Sequence, residues 1–199
     1  MAALACVFVT ASAYSASNTI LVLGDSLSAE YGLARNSGWV ALMAEHVKKE
    51  NIATSIFNAS VSGETTSGGR SRLPALLDQH RPSLVILELG ANDGLRGLPI
   101  AATEQNLTAM ISAAKRAKAE VLLVGMQIPP NYGRQYTEKF AAMYPKIAKE
   151  ARVPLVPFLL EGIADKQQFF QPDRIHPTGN AQPIIFNNVW RHLKPLLAK

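Results

Sequence analysis

The chain has 199 residues, 48% of them hydrophobic and 18% charged, which is enough apolar content for one buried core and too much for a disordered chain. Twenty Lys and Arg against fifteen Asp and Glu leave a net charge of +5, scattered without the basic stripe that a nucleic-acid binder carries. No apolar run reaches the roughly 18 residues of a membrane span, so a polytopic membrane protein is excluded.

The first segment, Met1 to Ala16, has no charged residue and runs from an apolar stretch into small residues that end at Ala13 and Ala16. That pattern predicts a signal peptide cleaved after Ala16, with the true start upstream, and export to the periplasm or the medium. Residues 17–199 are then expected to form a single domain. The one cysteine, Cys6, lies in the removed segment, so the mature chain has no thiol nucleophile and no disulfide. A lipoprotein cleavage site at Ala3-Leu4-Ala5-Cys6 is the alternative reading of the same stretch.

After this segment, short β-rich apolar runs alternate with helix-period segments, the pattern of βαβ units and a parallel sheet covered on both faces. Strands are predicted at Thr19–Leu23, Thr54–Asn58, Leu84–Leu89, Val121–Gly125 and Leu155–Pro157. Helices are predicted at Gly38–Glu50, Ser71–Gln79, Ala102–Ala119, Thr137–Arg152 and Gly179–Leu197, the last with a possible break at Pro183. In the fourth helix Phe140, Tyr144, Ile147, Ala148 and Ala151 share one face, which marks the aromatic pair as core.

Ligands of an open parallel sheet bind beyond the carboxyl ends of its strands, so the residues just after each apolar run are the informative ones. Gly24-Asp25-Ser26-Leu27 follows the first strand, Asn58 to Thr65 the second, and Gly90-Ala91-Asn92-Asp93 the third; Asp173-Arg174-Ile175-His176-Pro177 comes near the end. Singly, each is ordinary cap or turn chemistry. Jointly they supply an acyl-transfer set: Ser26 as nucleophile, His176 to take its proton, and Asp173 to fix the imidazole tautomer. The oxyanion would be held by the backbone N–H groups of Ser26 and Gly63 and the side-chain amide of Asn92. No phosphate-binding loop, dinucleotide fingerprint or metal-spaced His/Cys/carboxylate cluster accompanies them, so no metal or cofactor is expected. His46, His80 and His192 fall in or beside predicted helices and are expected to serve packing or surface roles.

At these four loops the sequence resembles the SGNH (GDSL) hydrolases, whose ordered blocks are marked by Ser, Gly, Asn and His. Asn92-Asp93-Gly94-Leu95-Arg96-Gly97, Pro130-Asn131-Tyr132-Gly133 and Val153 to Phe158 are similar to the branch of bacterial periplasmic thioesterases and lysophospholipases. The resemblance implies a three-layer α/β/α sandwich on a five-stranded parallel flavodoxin-like sheet. It also implies hydrolysis of fatty acyl thioesters, lysophospholipids and aryl or short esters. A monomer acting on small-molecule acyl substrates, with no nucleic-acid partner, is the expectation. An acyl group needs an apolar groove beside Ser26; Leu27, Leu95, Ile128, Pro129 and Tyr132 are its candidates. Three positions depart from the family pattern. Ala91 and Glu30 stand where Gly is usual, and Arg174, also in a Gly position, brings a cation beside His176 that could meet an anionic substrate. A carbohydrate O-acetylesterase and a non-catalytic lipid- or glycan-binding module are the alternatives to a lipid esterase.

Overall fold

The computed structural model describes residues 18–197; the predicted signal segment and its cleavage site lie outside the described residues. Its five strands are β1 (Asn18–Gly24), β2 (Thr54–Asn58), β3 (Leu84–Glu88), β4 (Glu120–Val124) and β5 (Leu155–Val156). All are parallel, in the order β2-β1-β3-β4-β5. Register is set by continuous apolar runs: Ile20, Leu21, Val22 and Leu23 pair with Leu84, Val85, Ile86 and Leu87, and all eight are buried. A strand buried on both faces has no alternation to keep, which is why these segments read as unbroken hydrophobic stretches.

The helices are α1 (Trp39–Lys49), α2 (Thr66–His80), α3 (Ala91–Leu95), α4 (Ile100–Arg116), α5 (Arg134–Ala151) and α6 (Gln182–Leu197). α1 packs on α6, whereas α2, α4 and α5 pack in a row. Right-handed crossovers put these two groups on opposite faces, because the chain winds outward from β1 to β2 and then reverses through β3, β4 and β5. The reversal opens a crevice between the carboxyl ends of β1 and β3, the place where open α/β sheets bind ligands. Trp39 seals the α1 side of the core and Phe140 with Tyr144 the α5 side, each fully buried, the latter two as their helical spacing predicts.

The strands match the sequence reading to within a residue or two; α4 ends at Arg116 rather than Ala119, α5 begins at Arg134 rather than Thr137, and three further helical features differ. α2 begins at Thr66 rather than Ser71, because the Thr65 side chain accepts from the Gly68 N–H and caps the helix. The intervening Gly68-Gly69 pair reads as a breaker in sequence, yet Gly69 lies where a Cβ would come within 2.3 Å of Leu89. The helix expected from Gly179 begins at Gln182, after a 3-10 turn over Gly179–Ala181. Pro183 is then its second residue, where the missing N–H costs nothing. The Gln182 side chain in turn accepts from the Trp39 N–H, joining the starts of α6 and α1 (3.0 Å). Asn92-Asp93, expected in a turn, form part of α3.

β5 is only two residues long, and the backbone approaches β4 closely there: a Cβ on Gly125 would sit 2.4 Å from the Pro157 carbonyl oxygen. Backbone cannot rotate away as a side chain can. Gly125→Ala is expected to destabilise the fold by about 1–3 kcal/mol, the usual cost of overpacking, in urea denaturation. Gly179→Ala, with open space around it, serves as the neutral comparison.

Candidate active site

β1 ends in a tight turn in which Asp25 accepts at its carbonyl from the N–H groups of Ser28 and Ala29, and at Oδ1 from Leu27 N–H (3.0 Å). The turn lifts Ser26 out of the sheet, half-buried at the crevice. Opposite it, residues 167–178 fold back on themselves. Gln171 N–H donates to the His176 carbonyl and Thr178 N–H to that of Phe169, while the Gln171 amide donates to the carbonyls of Tyr31 and Pro177. Within that loop Asp173 Oδ1 accepts from the backbone N–H groups of Ile175 and His176, and Oδ2 meets His176 Nδ1 at 2.7 Å. The far ring nitrogen, Nε2, lies 2.9 Å from Ser26 Oγ. Asp173, His176 and Ser26 thus form one continuous hydrogen-bonded chain. Tyr31 covers the imidazole, ring centres 4.2 Å apart, a contact that no motif in the sequence signals.

Desolvation works against the Asp173 charge, but the two backbone N–H groups and the imidazole outweigh it and hold the carboxyl down at about 2. It therefore remains an anion, able to orient the ring and to balance an imidazolium.

The three expected oxyanion donors differ in state. Ser26 N–H and Gly63 N–H have no partner among the described residues. Gly63 follows β2 in a loop tied to the serine turn by Val61 N–H to Gly24 O and by the Asn58 amide to Ser28 O. The Asn92 amide is engaged twice, donating to Asp25 Oδ2 and to the Glu64 carbonyl, each at 3.0 Å. It clamps the turns after β1, β2 and β3 together.

Beneath this clamp lies a group the sequence reading passed over. Glu88, the last residue of β3, is 0% exposed; its Oε2 accepts from Ser28 Oγ at 2.6 Å and from Asp25 N–H at 3.3 Å. Its other oxygen has no partner among the described residues. The carboxyl fits only because residue 24 is glycine: a Cβ there would lie 2.6 Å from Oε2. The sequence did hold a signal, a single acid in the otherwise apolar run Leu84 to Leu89. Burial, then the neighbouring Asp25 carboxyl, pushes Glu88 well above the usual carboxylate range. Burial likewise raises Asp25 to about 6, against the lowering pull of the Leu27 N–H, His176 and Asn92.

A cavity of about 370 Å³ opens beside Ser26 toward the β4 and β5 ends. Leu27, Leu95, Ile128 and Pro129 line it, with Phe158 from the Val153–Phe158 segment and Met126, Leu160 and Phe170 from loops that carried no motif. Tyr132 does not: it sits in a 3-10 turn over Pro130–Tyr132, 39% exposed and off the cavity wall, because that turn directs the chain outward before α5. The segment beyond Leu95 is anchored at both ends. Gly94 packs on Ile128 and Phe140, and the Leu98 carbonyl accepts from Tyr136 Oη.

Glu30 and Arg174, both in positions where glycine is usual, adopt left-handed backbone (φ 59° and 60°). The Glu30 carboxylate accepts from the N–H groups of Asn36 and Gly38 and so ties its own loop. His46 packs edge-on against Trp190 and His80 stacks on Phe57, the packing roles expected of them. Among the described residues no group of His, Cys, Asp and Glu could hold a metal ion.

The profile of the GDSL-like lipase/acylhydrolase family matches residues 22–182. Esterase TesA of Pseudomonas aeruginosa is 49% identical over 183 residues, covering 92% of this chain and 91% of that protein. Thioesterase 1/protease 1/lysophospholipase L1 of Escherichia coli K12 is 48% identical over the same share of this chain and 86% of its own. A crystal structure of TesA superposes with a TM-score of 0.87 at 49% identity, covering 89% of this chain and 99% of that one.

The buried carboxyls make the stability of the fold depend on pH. Glu88 and Asp25 bind protons more tightly folded than unfolded, so stability falls as pH rises from about 4 through about 6 on account of Asp25, and further on account of Glu88. Glu88→Gln removes the second part. Its unfolding free energy is expected to decline less than that of the wild type as pH rises above the ordinary glutamate value of 4.5, in denaturant titrations. A slope as steep as the wild type would contradict a protonated Glu88.

Proposed function

The chain belongs to the GDSL-like lipase/acylhydrolase family and is a hydrolase of ester bonds, and we propose that it cleaves fatty acyl esters and thioesters through an acyl-enzyme on Ser26. The observation that carries this reading is the hydrogen-bonded chain from Asp173 through His176 to Ser26 Oγ, opening onto an apolar cavity. His176 Nε2 takes the Ser26 proton as Oγ attacks the acyl carbonyl carbon. The same nitrogen then gives that proton to the departing alcohol or thiol, leaving Ser26 acylated. Water, deprotonated by His176, attacks the acyl carbon; the bond from that carbon to Ser26 Oγ breaks, the carboxylic acid leaves, and His176 returns the proton to Oγ. The free N–H groups of Ser26 and Gly63 suit the oxyanion directly, and Asn92 joins them by exchanging one of its two present acceptors.

The cavity is at the small end of ligand sites and is walled by Leu, Ile, Met and Phe side chains, which favours an acyl chain over a sugar. This counts against the carbohydrate acetylesterase, and an intact serine–histidine–aspartate chain counts against a binding module. The names of the relatives support esters and thioesters as the substrate class. Residues 17–199 acting as one monomeric domain in the periplasm, after removal of residues 1–16, complete the reading. No helix among the described residues is long and apolar enough to cross a membrane.

With p-nitrophenyl esters from acetate to palmitate, Ser26→Ala is expected to abolish turnover while the circular dichroism of the fold is retained. In the wild type, kcat/KM should climb about fourfold for each methylene buried, since each contributes about 0.8 kcal/mol, and level off once the cavity is full. Leu160→Trp should bring that plateau to a shorter chain. Asn92→Ala should lower kcat by about 10²–10³-fold with little change in KM, the signature of a transition-state donor. A loss confined to KM would remove Asn92 from the oxyanion site.

A further inference from the structure

Arg174 is a costly choice of residue with no return inside the chain. Its backbone holds φ at 60°, a conformation that side chains rarely adopt, and among the described residues its one hydrogen bond is the backbone one from its N–H to Gln171 O. The guanidinium has no partner among the described residues. The nearest acid in sequence cannot serve it, because Asp173 Oδ1 already accepts from two backbone N–H groups and Oδ2 is held by His176. Yet Arg174 lines the cavity with Ser26 and His176. Arg96 donates through Nη2 to the Gly63 carbonyl and has no carboxylate partner among the described residues.

The position of Arg174 on the His176 loop says which part of the substrate it meets. The imidazole must protonate the leaving group, so the leaving group lies on the imidazole side of the scissile bond, and Arg174 is two residues away on the same loop. The acyl chain occupies the apolar wall formed after β4 and β5. A guanidinium offers a planar fork that matches phosphate oxygens in pairs. We infer that Arg174 is a specificity-determining residue that pairs with a phosphate-bearing alcohol or thiol leaving group, favouring such substrates over neutral ones with the same acyl chain. The inference rests on the acyl-enzyme reading of Ser26 and His176. It concerns leaving-group charge, which that reading does not fix.

The test compares two matched pairs on the wild type, Arg174→Gly and Arg174→Lys. Octanoyl-CoA is set against octanoyl-pantetheine, and 1-octanoyl-glycerol 3-phosphate against 1-octanoyl-glycerol. Glycine is at ease with the backbone of residue 174, so that variant keeps the fold. Arg174→Gly is expected to lower kcat/KM about tenfold for a phosphate-bearing substrate and to leave its neutral partner within about twofold; Arg174→Lys should retain part of the preference. Raising salt should erode the wild-type preference and leave Arg174→Gly unaffected. The pair that responds identifies the source of the phosphate, nucleotide thiol or glycerophosphate. Equal losses within both pairs, or no loss in either, would overturn the inference while the neutral substrates still report an active hydrolase. Absence of turnover on all four, wild type included, would instead overturn the acyl-enzyme reading and the inference with it.

Discussion

Glu88 places a carboxyl group where the sheet is driest, and the geometry of the nucleophile turn follows from accommodating it. Its Oε2 takes the space that a Cβ on residue 24 would fill, and in that space it receives the Ser28 hydroxyl and the Asp25 N–H. The next link is the Asp25 carboxyl, which holds Leu27 N–H on one oxygen and the Asn92 amide on the other; Asn92 then reaches Glu64. A polar network in a low-dielectric interior is rigid when it is satisfied and expensive when it is not. Here it fixes the turns after β1, β2 and β3 against each other, and with them the donors around Ser26.

Serine and histidine come from ends of the chain 150 residues apart, and each is positioned by its own local closure before the two meet. The β1 turn is held by Asp25 and Glu88, with Asn58, Val61 and Asn92 tying it to its neighbours. The His176 loop needs only Gln171, Asp173 and its own backbone, so that Nδ1 is oriented before Nε2 finds Ser26. Such pre-set geometry leaves little reorganisation for the reaction proposed at Ser26.

The strands were legible because a sheet buried on both faces leaves continuous apolar runs such as Leu84 to Leu89, and α5 because Phe140, Tyr144 and Ile147 recur at helical spacing. Ser26, Asp173 and His176 were legible because the short spacing of Asp173 and His176 and the placement of Ser26 after a strand have direct chemical meaning. The start of α2 was not, since the meaning of Gly68-Gly69 depends on how closely Leu89 approaches, a tertiary fact. Nor was the inner cavity wall, because Leu160 and Phe170 look like any core residues until the fold turns them toward Ser26. Tyr132 erred in the other direction: its neighbours Pro129 and Pro130 do line the cavity, but a 3-10 turn carries the ring away.

The contact of Gly94 with Ile128 and Phe140 has an evolutionary consequence. Gly94 lies two residues from Asn92 on the same short helix, so enlarging Ile128 pushes on the element that holds the amide proposed for the oxyanion. Phe158 and Leu160 lie across the cavity, on a segment that supplies none of the proposed catalytic groups. A lineage drifting toward longer or shorter acyl chains therefore has an open road through Phe158 and Leu160, and a guarded one through Ile128. Natural variation in chain-length preference should accumulate on the β5 side of the cavity while the β4 side stays nearly fixed.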